Sequence, residues 1–151
     1  MKKLIFLLFT LLVLPAALFA GGSQEGAIAD GTYYAEEKKF SENSGWKYTV
    51  TLEVKDGKIV DVEWNGVHKD GGTDKVTRSK SGEYGMVEKG GAIAPWFEQA
   101  AKAEAYLLKV QDPTDIKYSS DEGHTDAISG VTIHVVEFFS LAEEALSGKP
   151  Q

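Results

Sequence analysis

The chain has 151 residues, no cysteine and a formal charge of −7, a length that suits one domain with a modest core. Without cysteine, thiolate zinc sites, iron–sulfur clusters and thiol nucleophiles are excluded, and the fold must stand without disulfides. The acidic balance, uninterrupted by any block of basic residues, argues against nucleic acid as a partner.

The opening MKKLIFLLFTLLVLPAALFA sets two lysines before a long apolar run that ends in a small residue ahead of GGSQ. That order is expected of a secretory signal peptide over residues 1–20, cleaved after Ala20. A retained N-terminal anchor competes with it, since Leu4 to Ala20 is marginally long enough for a bilayer span. Cleavage would remove Lys2 and Lys3 and take the formal charge from −7 to −9. The mature protein is expected to be soluble and periplasmic or otherwise extracytoplasmic. Residues 21–30 are small and polar and read as a short leader.

The first apolar element is GTYYAEEKKF, with residues 32–36 expected to pair beside the hairpin that follows. In WKYTVTLEVKDGKIVDVEWNGV, Trp46, Tyr48, Val50, Leu52 and Val54 recur with period two, the mark of a strand with one buried face. Asp56-Gly57 supplies a tight turn, and Ile59, Val60, Val62 and Trp64 form the returning strand. The polar, glycine-rich stretch from His68 to Gly91 is expected to be a defined functional loop, anchored by Tyr84 and Met86.

Pro95 opens PWFEQAAKAEAYLLKV, a helix in which Phe97, Ala100, Ala101, Leu107 and Leu108 can share an apolar face, ended by Asp112-Pro113. A short strand is expected near Ile116 to Tyr118. The last element is a helix from about Thr132 to Leu146, closed by Gly148 and Pro150, with Ile133, Val136, Phe139 and Leu146 on one side and Val135, Phe138, Leu141 and Ala142 widening it. Strands first and helices later predict a single small α+β domain, an antiparallel sheet with packed helices. His68, His124 and His134 are far apart in the chain and form no HExxH pair, so nothing in the sequence signals a metal site.

The stretch DAISGVTIH, Asp126 to His134, holds the chemistry. Asp126 and Ser129 are ordinary helix caps. The same residues can instead seat a phosphate, with free amides at a helix start, Gly130 permitting close approach, and the Thr132 hydroxyl. Asp126 would repel a free phosphate, so its place is to organise the turn or to hold a divalent ion during a modification reaction. Spacing alone leaves both readings open. No array of general bases is present, and no catalytic residue is assigned.

Read as Asp126-Ala127-Ile128-Ser129-Gly130-Val131-Thr132, the motif resembles the D-x-x-S/T-G-A-T signature of the FMN-binding domain family, found in the RnfG and NqrC redox-pump subunits and in small secreted flavoproteins. Asp, Ser, Gly and Thr match at the family's spacing; Val131 replaces the usual alanine, and His134 stands where a small hydroxyl residue is common. The likeness runs from about Gly31 to Leu146 and includes DGTYYAE, DGKIVDVEW and SGEYGM. It implies an FMN-binding domain over residues 31–148, with FMN joined through a phosphoester to Thr132 by a flavin transferase that uses FAD and magnesium. Ser129, Gly130, Val131 and Asp126 would surround the link, and Tyr84, Met86 and Trp96 are the candidate surface for the isoalloxazine ring. The implied function is an extracytoplasmic electron carrier between a membrane electron donor and an extracytoplasmic acceptor. A noncatalytic envelope protein that binds a ligand on the same fold, and an FMN-bearing subunit of a larger reductase, are the alternatives.

Overall fold

The computed structural model describes residues 28–151. The expected signal peptide over 1–20 and the leader as far as residue 27 lie outside the described residues. The strands β1 (Gly31–Glu36), β2 (Trp46–Lys55) and β3 (Lys58–His68) form one antiparallel sheet in the order β1-β2-β3. Asp56 and Gly57 both take positive φ, 53° and 71°, between the paired residues Lys55 and Lys58. This is the two-residue turn whose twist matches the flanking strands.

Trp46, Val50, Leu52 and Val54 of β2 are buried with Tyr33 and Ala35 of β1. On β3 the apolar residues break strict alternation, because a register shift falls between Glu53 and Val54 of β2. It puts Ile59 on the inner face with Val62 and Trp64 and turns Val60 outward, 49% exposed. A one-residue bulge reverses the facing of everything beyond it.

Three helices follow, α1 (Lys75–Lys80), α2 (Trp96–Val110) and α3 (Val136–Ser147). The buried side of α2 is Trp96, Gln99, Ala100, Ala103 and Leu107, at helical spacing; Ala101, expected on that face, is exposed. From α3, Phe138, Phe139, Leu141, Ala142 and Ala145 enter the same core. The edge of β3 is covered by α2 rather than by another strand. Glu104 Oε1 accepts from Trp64 N at 2.7 Å, and the Gln111 side chain pairs with both backbone groups of Ile59 at 2.8 and 2.9 Å. These bonds occupy both backbone groups of Ile59 and the Trp64 N–H, which blunts this edge as a template for a passing strand.

Four expectations are corrected. The stretch from His68 to Gly91 contains α1, capped by Asp74 Oδ1 accepting from Thr77 N at 2.9 Å. No strand forms at Ile116 to Tyr118, which has no partner to pair with. The last helix starts at Val136 rather than near Thr132, because Val135 N–H donates back to Gly123 O at 2.9 Å instead of continuing a helical turn. Its N-cap position is Val135, with no side-chain cap, so neither Asp126 nor Ser129 caps it. The α+β architecture itself is as expected. No helix among the described residues is long and apolar enough to cross a membrane.

Candidate functional site

Between α2 and α3 the chain runs from Gln111 to Val135 without regular structure, so its backbone groups need partners from elsewhere. The buried Thr125 supplies some, donating its hydroxyl to Lys117 O at 2.7 Å and accepting from Ala127 N at 3.1 Å. Gly130, at φ +73°, then turns the chain through a conformation that favours glycine, and its carbonyl accepts from Lys102 Nζ at 3.1 Å. Thr132 follows on the surface.

The residue that holds Thr132 is Gln99, wholly buried on the inner side of α2. Its Nε2 donates to Ala94 O at 2.9 Å, which fixes the amide plane and aims Oε1 at the motif. Oε1 accepts from Thr132 N at 2.7 Å, from the Thr132 hydroxyl at 3.3 Å and from Ile133 N at 3.3 Å. The expected seat of free amides at a helix start is therefore absent at these two residues. Gln99 occupies both amides, and the helix begins farther on. A glutamine inside an otherwise apolar stripe was the sequence signal for this role.

Thr132 sits at the rim of a groove of about 200 Å³ whose walls are Tyr48, Tyr84, Met86 and Trp96, with His124, Ile133 and His134 completing it. Four of the eight expected cofactor-contact residues, Thr132, Tyr84, Met86 and Trp96, thus meet in one place. The other four do not line it: Asp126 and Ser129 are exposed, Gly130 faces Lys102, and the Val131 side chain is buried in the core. Val131 is therefore a packing residue. Tyr48 and His124 are additions that sequence reasoning missed. Tyr48 and Trp96 lie nearly parallel, 14° apart with ring centroids at 6.0 Å, while Trp64 meets Trp96 edge-on at 5.1 Å. Trp96 serves the core and the groove together. A larger cleft of about 480 Å³ lies elsewhere, between the end of β1 and α3, but it is lined by charged side chains such as Glu36, Lys38 and Glu144.

Behind the groove lies Lys75, 1% exposed at the start of α1. Its ammonium donates to Tyr48 Oη at 2.8 Å and stands 4.4 to 5.2 Å from the ring centroids of Tyr48, Tyr84, Trp96 and Trp46. Burial lowers its pKa from 10.5 to about 7, a fall that the Glu137 and Glu37 carboxylates partly offset. Burial likewise raises the Tyr48 and Tyr84 hydroxyls above their ordinary value, so both stay protonated at neutral pH. Three of the aromatic side chains that line the groove therefore enclose a basic nitrogen.

A protein of Clostridium thermocellum, known from a solution NMR structure, matches this chain at 63% identity over 81% of this chain and 94% of its own, with a TM-score of 0.62. The chain belongs to that protein's family. A Clostridium perfringens protein known from a crystal structure matches at 25% identity over 80% of this chain and 87% of its own, with a TM-score of 0.60. No protein-family model and no curated protein matches the chain.

Proposed function

We propose that the protein is an extracytoplasmic electron carrier with FMN joined through a phosphoester to Thr132. The observation that carries this reading is the placement of Thr132, an exposed hydroxyl in a D-x-x-S-G-x-T motif at the rim of a groove walled by Tyr48, Tyr84, Met86 and Trp96. Several features fit the group. The walls are built largely of aromatic side chains, and Trp96 Nε1 is a buried donor with no partner among the described residues. Lys102, bonded to the carbonyl of Gly130, two residues before Thr132 in the chain, offers a cation. At about 200 Å³ the groove is below the roughly 300–1,000 Å³ of pockets that enclose a ligand, so it suits a tethered ring with one edge left to solvent.

Bound FMN would supply one- and two-electron redox chemistry; the chain's part is to position the ring and set its surroundings. Gln99 fixes the Thr132 backbone, and so the direction from which a group on its hydroxyl enters the groove. Lys75, when protonated, would place positive charge behind the ring-facing walls and favour a reduced, anionic ring. Partners in this reading are a flavin transferase using FAD and magnesium, a membrane electron donor and an extracytoplasmic acceptor. The acidic surface would favour an electropositive docking patch on them.

The occupied amides of Thr132 and Ile133 favour a second reading, an envelope protein that binds a small aromatic ligand in the groove without a covalent cofactor. Co-expression with a compatible flavin transferase separates the two. The carrier reading expects a polypeptide that stays yellow after denaturation in the wild type and is colourless in Thr132→Ala. A colourless wild type made with an active transferase would favour the ligand-binding protein.

A further inference from the structure

His124 and His134 are ten positions apart, yet the fold sets their rings edge to face with centroids 4.3 Å apart. The cause is local. Val135 N–H donates to Gly123 O at 2.9 Å and Ser119 N–H donates to His124 O at 2.8 Å, which pins the 119–124 turn beside the residues ahead of α3. Gly123 makes that approach available. It has φ +88°, and a Cβ there would lie 2.3 Å from Val136 Cγ1. Glu122, on the same turn, brings its Oε2 to 3.6 Å from His124 Nε2. One ligand atom from each of Glu122, His124 and His134 lies within 4.8 Å of the others.

We infer that Glu122, His124 and His134 form a binding site for a first-row divalent metal ion of the zinc type, at the rim of the groove. Bonds of about 2.0–2.2 Å to nitrogen and carboxylate oxygen put neighbouring ligand atoms of a tetrahedral ion roughly 3.3–3.6 Å apart. The Glu122–His124 pair already has that separation. Two imidazoles and one carboxylate make a donor set suited to zinc, cobalt or nickel rather than to magnesium or calcium. Three protein ligands leave a coordination position open, and two of them, His124 and His134, line the groove. His68, the third histidine, is committed elsewhere, its ring against Trp46 and its Nδ1 3.5 Å from Asp70. The site uses no group of the covalent cofactor and stands whether or not Thr132 is modified.

The test is titration of the unmodified protein, carrying no polyhistidine tag, with Co²⁺ followed by visible absorption. One equivalent should bind, with the d–d bands of a low-symmetry nitrogen–oxygen site, and Zn²⁺ should displace it. Loss of a partner that only orients a ligand costs about 10–100-fold in affinity, so His134→Ala should weaken binding by at least tenfold. His68→Ala should leave binding unchanged. The exposure of His134 allows the variant to keep the far-ultraviolet circular dichroism of the parent, which confirms that folding is intact. Absence of stoichiometric binding to either ion overturns the inference. So does binding that survives in folded His134→Ala.

Discussion

Replacing Lys75 by methionine should change how stability depends on pH. Lys75 is charged in the unfolded chain up to its ordinary pKa of 10.5, whereas burial holds it to about 7 in the fold. Below about pH 7 the ammonium is protonated in both states, and the whole cost of burying it weighs on the folded protein. Between about 7 and 10.5 the unfolded chain binds the extra proton, so stability rises with pH, by up to about 1.4 kcal/mol per pH unit. Across the full interval the gain is on the order of 5 kcal/mol, a large share of a small domain's total. The four surrounding rings oppose burial, each favouring the cation by about 0.5–2 kcal/mol. Their attraction moves the onset of the rise upward and reduces its size. Burial of Tyr48 and Tyr84 acts the other way only near and above pH 10, where tyrosines of the unfolded chain ionise. Urea denaturation at pH 7.5, 8.5 and 9.5 should therefore show the wild-type midpoint climbing. The Lys75→Met midpoint should stay level, since methionine fills similar space with nothing to titrate. Equal slopes in the two proteins would refute the buried-ammonium account.

Two further substitutions probe the framework of the site. Gln99→Ala leaves the Thr132 and Ile133 amides without their acceptor and should cost about 1–3 kcal/mol, measured as a lower midpoint in urea. A loss within error would mean that water replaces the glutamine oxygen there. Gly123→Ala meets both a positive φ and a clash with Val136, and it should destabilise by about 1–3 kcal/mol. Because Gly123 aligns the two histidines, the variant's histidine ring NMR signals should shift as well. Unchanged stability would show that the turn can relax around the new methyl.

The hairpin was legible because period-two burial and the Asp56-Gly57 turn are written directly in residue type. The bulge was not, though Ile59-Val60 followed by Val62 is its trace: Ile59 and Val62, three positions apart, cannot both face inward without an extra residue between them. The helix α1 escaped because KVTRSK is polar and only six residues long. Nothing in its composition says that Lys75 turns inward. The start of α3 was misplaced because Ile133 and Val135 extend the apolar run upstream, and no residue type announces that the Val135 amide bonds to Gly123. The groove was half legible. Tyr84, Met86 and Trp96 were found as apolar residues needing a role, whereas Tyr48 looked like one more residue of a strand. The histidine pair depends on a contact across ten positions and had no local signal. Gln99 could have been found, as the one amide in the buried stripe of α2.

The central claim, a flavin on Thr132, is tested most directly by peptide mass spectrometry of protein co-expressed with a compatible flavin transferase and supplied with FAD and magnesium. The account predicts an intact chain heavier by one FMN less one water, with fragment ions that place the added mass on Thr132 and not on Ser129 or Thr125. It also predicts that the mass is lost in Thr132→Ala, which should keep its fold because the Thr132 side chain is exposed. Added mass on another residue, or its persistence in Thr132→Ala, would contradict the account.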